Sequence, residues 1–300
     1  MRWVTWLAFV CLFAGHAAGQ ATSLPSQKPA EKALPEIAVS DNRAPAGRLH
    51  KGVLTIELEA RAGVWHPEES DGPGLEVQAF AEPGKPPQIP GPLIRVPEGT
   101  EIRATVRNAI SGATLVVYGL DARPGDEKNA LEVPPGAARE VRFKAGAAGT
   151  YFYWATTTGV PFLQRVHVDS QLSGAFIVDP PGRKRAANDR IFMIGLWVEP
   201  GKQPTEARAA LVINGRSWPH TERLTYTAGD TVRWRWINAN VATHPMHLHG
   251  AFYRVDSMGD AERDTIYAEQ DRRQPEGPDA FVENHEADAG KNAEQEMLVL

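Results

Sequence analysis

One residue in 300 is cysteine, Cys11, and it falls inside the apolar run Val4 to Ala14. That run is too short to cross a bilayer, which takes about 20 apolar residues. Arg2 precedes it, and Ala17, Ala18 and Gly19 follow. This is the pattern of a secretory signal peptide cleaved after Gly19; the alternative is a buried N-terminal strand or helix. With the signal removed, the mature chain has no disulfide and no thiolate, and its cores alone must hold it. A secreted or periplasmic location is expected, with no membrane span.

Charge of one sign is also scarce. Lys plus Arg number 32 and Asp plus Glu 37, a net charge of -5. So mild a balance argues against a nucleic-acid surface. The sequence has no Gly-x-Ser-x-Gly elbow, phosphate loop or Cys-x-x-Cys pair. Helical periodicity is almost missing.

Alternation is what the sequence does have. Val53–Ala60 reads as a half-buried strand. Further strands are expected at Glu101–Val106, Thr114–Tyr118, Glu140–Phe143, Tyr151–Trp154 and Gly174–Val178. A second set follows at Ile191–Val198, Ala210–Ile213, Arg223–Tyr226, Thr231–Ile237 and Ala251–Val255. Pro and Gly punctuate them, as at Pro90-Gly91-Pro92 and Pro134-Pro135-Gly136. Many short strands so spaced imply an all-β sandwich or barrel. In Val232–Ile237, period two sends Trp234 and Trp236 to one face, as core residues. Pro180–Arg185 reads as a linker between two β-domains, its basic triplet solvated. The turn-and-strand device Val96–Arg103 is echoed by Thr227–Arg233.

These features divide the chain into a signal peptide (1–19), a disordered linker rich in Pro and Ala (20–48), one β-domain (49–180), a second, shorter one (186–268) and an acidic tail expected to be disordered (269–300). The second domain would lack its last strands and keep an unpaired sheet edge.

The chemistry concentrates in His244-Pro245-Met246-His247-Leu248-His249-Gly250. In a strand, His247 and His249 project to one face, about 7 Å apart along the chain. Imidazole suits copper and zinc. His50, His66, His167 and His220 are isolated and read as surface or hydrogen-bonded residues. His285 lies in the acidic tail.

This segment resembles the signature of the multicopper oxidases, the laccase-like enzymes built from cupredoxin domains. The flanking Asn214-Gly215, Trp218-Pro219, Gly229-Asp230 and Asn238 agree, as do Pro90–Arg95, Gly149-Thr150-Tyr151 and Gly174 in the first half. The resemblance implies two cupredoxin-like Greek-key domains, the second incomplete, and copper as cofactor. It makes His244 a ligand of the mononuclear copper, and His247 and His249 ligands of the trinuclear cluster. It also implies a small reductant, dioxygen as acceptor, and a homo-oligomer, a trimer in two-domain relatives.

The chain departs from the family pattern in three places. Val116-Val117-Tyr118-Gly119 stands where the family has His-x-His-Gly, and Trp154-Ala155-Thr156 stands where it has His-x-His. The downstream His-Cys-His stretch is missing. Tyr118 could bind metal only after losing a proton whose ordinary pKa is about 10, so packing is its expected role. Without sulfur, the trigonal set of two imidazoles and a thiolate of a blue-copper centre cannot form. The expected activity is therefore an impaired copper oxidoreductase, with a copper-binding protein lacking turnover, or an inactive homologue, as the alternatives.

Overall fold

The computed structural model describes residues 33–124, 129–182, 185, 188–203, 205–246, 252–260, 262–267, 286–287 and 292–298. The expected signal peptide lies outside them. The strands of the first half are β1 (Ala38–Val39), β2 (Arg48–His50), β3 (Val53–Trp65), β4 (Leu75–Ala81), β5 (Gln88–Ile89), β6 (Gly91–Pro97), β7 (Glu101–Asn108), β8 (Leu115–Tyr118), β9 (Leu131–Val133), β10 (Ala138–Lys144), β11 (Gly149–Thr156) and β12 (Ser173–Asp179). Those of the second half are β13 (Asp189–Val198), β14 (Ala209–Ile213), β15 (Thr231–Asn238), β16 (His244–Pro245), β17 (Phe252–Gly259), β18 (Asp264–Ile266), β19 (Glu286–Ala287) and β20 (Asn292–Leu298). The described residues include one 3-10 turn, Phe162–Gln164, and no α-helix. The all-β class expected from alternation holds.

Two sheets make the first half. One is 7-stranded, in the order β1-β5-β4-β3-β7-β10 with β2 on β3; the other is 5-stranded, β6-β12-β11-β8-β9. Parallel pairing of β3 with β7 sets Leu54 beside Ile102, Ile56 beside Ala104 and Leu58 beside Val106. All six are buried on the face toward the second sheet. The edge strand β10 turns Arg139, Glu140, Arg142 and Lys144 to solvent, charges that discourage further strand addition.

Strand β11 is buried on both faces, which explains its unbroken run of large side chains. Tyr151, Tyr153 and Ala155 enter the core between the two sheets. Phe152 and Trp154 point the other way, to a cluster shared with Ile191 and Met193 of β13 and Ile237 of β15. This second cluster joins the halves. The Tyr153 hydroxyl donates to the Pro92 carbonyl at 2.7 Å. Its ring lies over Gly174, where a Cβ would fall 2.4 Å from the hydroxyl oxygen; only glycine fits.

A buried ionic network lies beside that cluster. Arg95 donates twice to Asp179 at 2.7 Å and once to Asp189 at 2.6 Å. Arg235 donates to Asp189 at 3.1 Å and to the Thr150 hydroxyl at 2.8 Å. Arg95 and Arg235 thus share Asp189, and strands from both halves are fixed to one carboxylate.

Two expectations fail in the second half. The 6-stranded sheet runs β14-β13-β15-β20-β17-β18, so β20, from the stretch expected to be disordered, fills the gap between β15 and β17. Its sequence, Asn292-Ala-Glu-Gln-Glu-Met-Leu, alternates poorly. Its place comes from backbone pairing with two partners at once, which side-chain pattern does not report. Arg223–Tyr226 is not a strand; the Tyr226 hydroxyl oxygen accepts from the Trp234 indole N–H at 3.4 Å. Trp234 and Trp236 share a face as expected, with ring centroids 6.0 Å apart, but they are half-buried and not enclosed.

Part of the stretch expected to be disordered lies outside the described residues (20–32), but from Leu34 to Arg48 it is more ordered than its composition suggested. Ile37 packs with Trp65 and Trp197, and the Asn42 amide donates to Asn214 at 3.0 Å.

Candidate metal centre

Strand β15 delivers the chain to the histidine segment. Its last residues pair in parallel with β13, and the Ala239 N–H donates to the Ile194 carbonyl at 3.0 Å. A turn follows that asparagines organise. The Asn238 amide donates to the Ala242 carbonyl at 2.7 Å, and the Ala242 N–H donates to Asn240 Oδ1 at 2.8 Å. Asn side chains commonly close such turns onto nearby backbone. The chain then enters β16, where His244 pairs with Ala287 of β19.

His244 Nε2 lies 3.0 Å from Asn240 Nδ2 and 3.1 Å from Asn240 Oδ1. Burial lowers the His244 pKa, because a low dielectric penalises the imidazolium. The side chain is therefore neutral at neutral pH. Its Nδ1 makes no hydrogen bond among the described residues. His247 and His249 lie outside the described residues, and so does His285. Among the described residues no group of three His, Cys, Asp or Glu side chains could hold a metal.

The first half meets the question of ligands differently. Antiparallel pairing of β8 with β11 sets Tyr118 opposite Trp154 and Val116 opposite Thr156. The four positions where the resemblance expects histidines are thus two cross-strand pairs. Tyr118 and Trp154 stack, with ring centroids 4.4 Å apart and planes inclined by 22°. Phe162 tilts against Trp154 at 5.1 Å, and the Arg165 guanidinium lies 5.0 Å over the indole. Gly119 follows Tyr118 at φ +78, and a Cβ there would meet the Phe152 carbonyl oxygen at 2.6 Å.

Arg165 is buried and held by the carbonyls of Ala155, at 2.8 Å, and Asp169. Burial pulls its pKa down to about 10, with Asp169 acting against that fall, so it remains charged at neutral pH. Asp169 accepts from the hydroxyls of Thr156 at 2.6 Å and Thr158 at 2.7 Å. Thr156 is therefore committed to the loop.

The two halves differ in their fit to copper. A neutral imidazole with one nitrogen held by Asn240 is a sound copper donor. Two aromatic rings, a valine and a hydrogen-bonded threonine are not. The other histidines have local partners. His66 Nδ1 is 2.7 Å from the Gly72 carbonyl and its Nε2 3.1 Å from Glu36; His167 Nδ1 is 3.1 Å from the Val198 carbonyl. His220 Nε2 stands 3.8 Å from Glu69, and His50 is exposed.

Two family models, each described as multicopper oxidase, match residues 197–280 and 86–183. The chain belongs to the multicopper oxidase family. Its relatives are copper-dependent oxidoreductases. It is 33% identical over 135 residues to the copper-containing nitrite reductase of Alcaligenes xylosoxydans xylosoxydans, covering 42% of this chain and 39% of that protein. It is 26% identical over 239 residues to a probable nitrite reductase-hydroxylamine oxidoreductase fusion protein of Kuenenia stuttgartiensis, covering 72% of this chain and 26% of that one. The chain thus spans less than half the length of these relatives. Among solved structures, the blue copper oxidase of Nitrosomonas europaea superposes with a TM-score of 0.62 at 20% identity, covering 81% of this chain and 74% of that one. The copper nitrite reductase of the same organism gives 0.60 at 20%, covering 82% and 85%. These likenesses establish the cupredoxin fold.

Sequence reasoning passed over Asn240, Arg165 and Asp169. The pattern Asn238-Ala-Asn240 just before the histidines was a turn signal in plain view. Arg165 and Asp169 gave none, since their partners are backbone carbonyls and hydroxyls brought together by a loop.

Proposed function

We propose that this chain binds copper through His244, His247 and His249 and acts as a copper oxidoreductase that oxidises small reductants with dioxygen as acceptor. The family match over both halves, together with the histidine segment it includes, carries this proposal. On the same grounds the chain comprises two cupredoxin domains, the first ending near residue 180 and the second running from about residue 186 and including β20 (Asn292–Leu298). It works in the periplasm or outside the cell, and as a homo-oligomer.

One observation favours a second activity. The Tyr118–Trp154 stack fills a pair of positions that a multinuclear cluster would need for imidazole. A chain so built holds copper without the donors for reducing dioxygen to water. Its relatives in the comparison are named as nitrite reductases, so nitrite is the second acceptor to test.

Copper content, electron paramagnetic resonance and acceptor consumption on the copper-loaded chain separate these outcomes. Bound copper with dioxygen uptake and a phenolic reductant supports the first activity. Copper with nitrite loss alone moves the acceptor to nitrite. Copper with neither supports binding without turnover. Replacing both His247 and His249 with Ala should abolish tight copper binding, and unchanged copper content in that variant would remove the site.

A further inference from the structure

We infer that Asn240 is a positioning residue for His244: it receives the Nε2 proton on Oδ1, so that Nδ1 is the nitrogen His244 presents to copper. This rests on the proposal that His244 is a ligand.

The geometry around the amide carries the inference. Asn240 is buried, with 1% of its surface exposed. Its Oδ1 already accepts the Ala242 N–H at 2.8 Å, which fixes the orientation of the amide. A flipped amide would set two donors against each other. Oδ1 keeps a second lone pair, and His244 Nε2 is 3.1 Å away. Ala242 is clamped from its other side, because its carbonyl accepts from Asn238 at 2.7 Å. The platform under the imidazole is therefore tied to the end of β15 through Asn238. The competing arrangement has Asn240 Nδ2, 3.0 Å from Nε2, donating to the ring. That would put the ring proton on Nδ1, which has no hydrogen-bond acceptor among the described residues, whereas a proton on Nε2 is met by Oδ1. Metal-binding imidazoles commonly donate their second N–H to a fixed acceptor, and removal of such an acceptor weakens metal binding by about 10–100-fold.

The test is nitrogen-15 NMR of the copper-free full chain labelled at histidine, which reads the tautomer of His244 directly. The proton should reside on Nε2. Asn240→Asp keeps the acceptor oxygens and should keep that tautomer. Asn240→Leu, of similar size without an acceptor, should give a mixture and lower copper(II) affinity by about 10–100-fold, with the far-ultraviolet dichroism unchanged. A wild-type proton on Nδ1, or an Asn240→Leu protein with the original tautomer and affinity, overturns the inference. If Asn240→Leu does not fold, the wild-type tautomer decides alone. His244→Ala separates the two levels. Unchanged copper affinity there refutes the ligand proposal itself, whereas loss there with none in Asn240→Leu refutes only the role of Asn240.

Discussion

Trp154→Ala tests whether the first half is packed or metal-bound at the positions where the family has histidines. Trp154 is 1% exposed, and large aromatic-to-alanine changes in cores cost about 3–5 kcal/mol. The ring also stacks on Tyr118 at 4.4 Å and lies under the Arg165 guanidinium at 5.0 Å. Contacts of these kinds contribute about 0.5–1.5 kcal/mol and up to about 2 kcal/mol respectively. They overlap with the burial figure, so the expected loss is about 4 kcal/mol. That is a large fraction of the roughly 5–15 kcal/mol that holds a domain folded, and it lowers Tm by roughly 8–16 °C for a chain of this size. Differential scanning calorimetry measures it. The companion variant, Tyr118→Phe, keeps the stacking ring and removes the one oxygen that could bind copper. Its copper content after reconstitution should equal that of the wild type. A Trp154→Ala protein with near-native Tm, or a Tyr118→Phe protein that loses copper, would refute a purely packed first half.

Asp189→Ala removes the carboxylate shared by Arg95 and Arg235 and should cost about 3–5 kcal/mol in urea unfolding; a change under 1 kcal/mol would mean the network contributes little. Gly174→Ala forces a Cβ to 2.4 Å from the Tyr153 hydroxyl and should destabilise more than Tyr153→Phe, which loses one hydrogen bond of about 1 kcal/mol; the reverse order in thermal melts would contradict the packing described. For Asp169, burial raises the pKa, but the Thr156 hydroxyl, Arg165 and Thr158 outweigh it, and the net shift is downward. A carboxyl with a lowered folded pKa contributes stability above its unfolded value, near pH 4, and loses it as pH falls through the folded value. Asp169→Asn should therefore trail the wild type in stability at pH 7, with the difference narrowing below about pH 4. An equal gap at pH 7 and pH 3 would contradict this.

Much of the molecule was legible from residue pattern, for reasons that are local. Alternation in Val53–Ala60 and Thr231–Ile237 reports a strand with one wet and one dry face, and those strands are there. The histidine segment announced metal chemistry through residue type and spacing, and its resemblance to the multicopper oxidases implied copper. The scarcity of thiolate was equally plain, since composition records a single cysteine, Cys11. Alternation was silent where backbone pairing decides. The strand Asn292–Leu298 has no telling pattern, yet it lies between two partners. The Pro- and Ala-rich stretch before residue 49 looked unable to pack, yet Ile37 and Asn42 find buried partners.

The amino-acid sequence by itself determined that this is an all-β chain with clustered imidazoles and a single cysteine, Cys11, because donor chemistry and strand periodicity belong to single residues and their near neighbours. Only the tertiary structure decided that Tyr118 and Trp154 meet ring to ring, that Asn240 holds His244, and that one carboxylate ties both halves together. Each of those depends on which strands lie side by side and in what register, and that choice is made by the whole chain as it buries its cores.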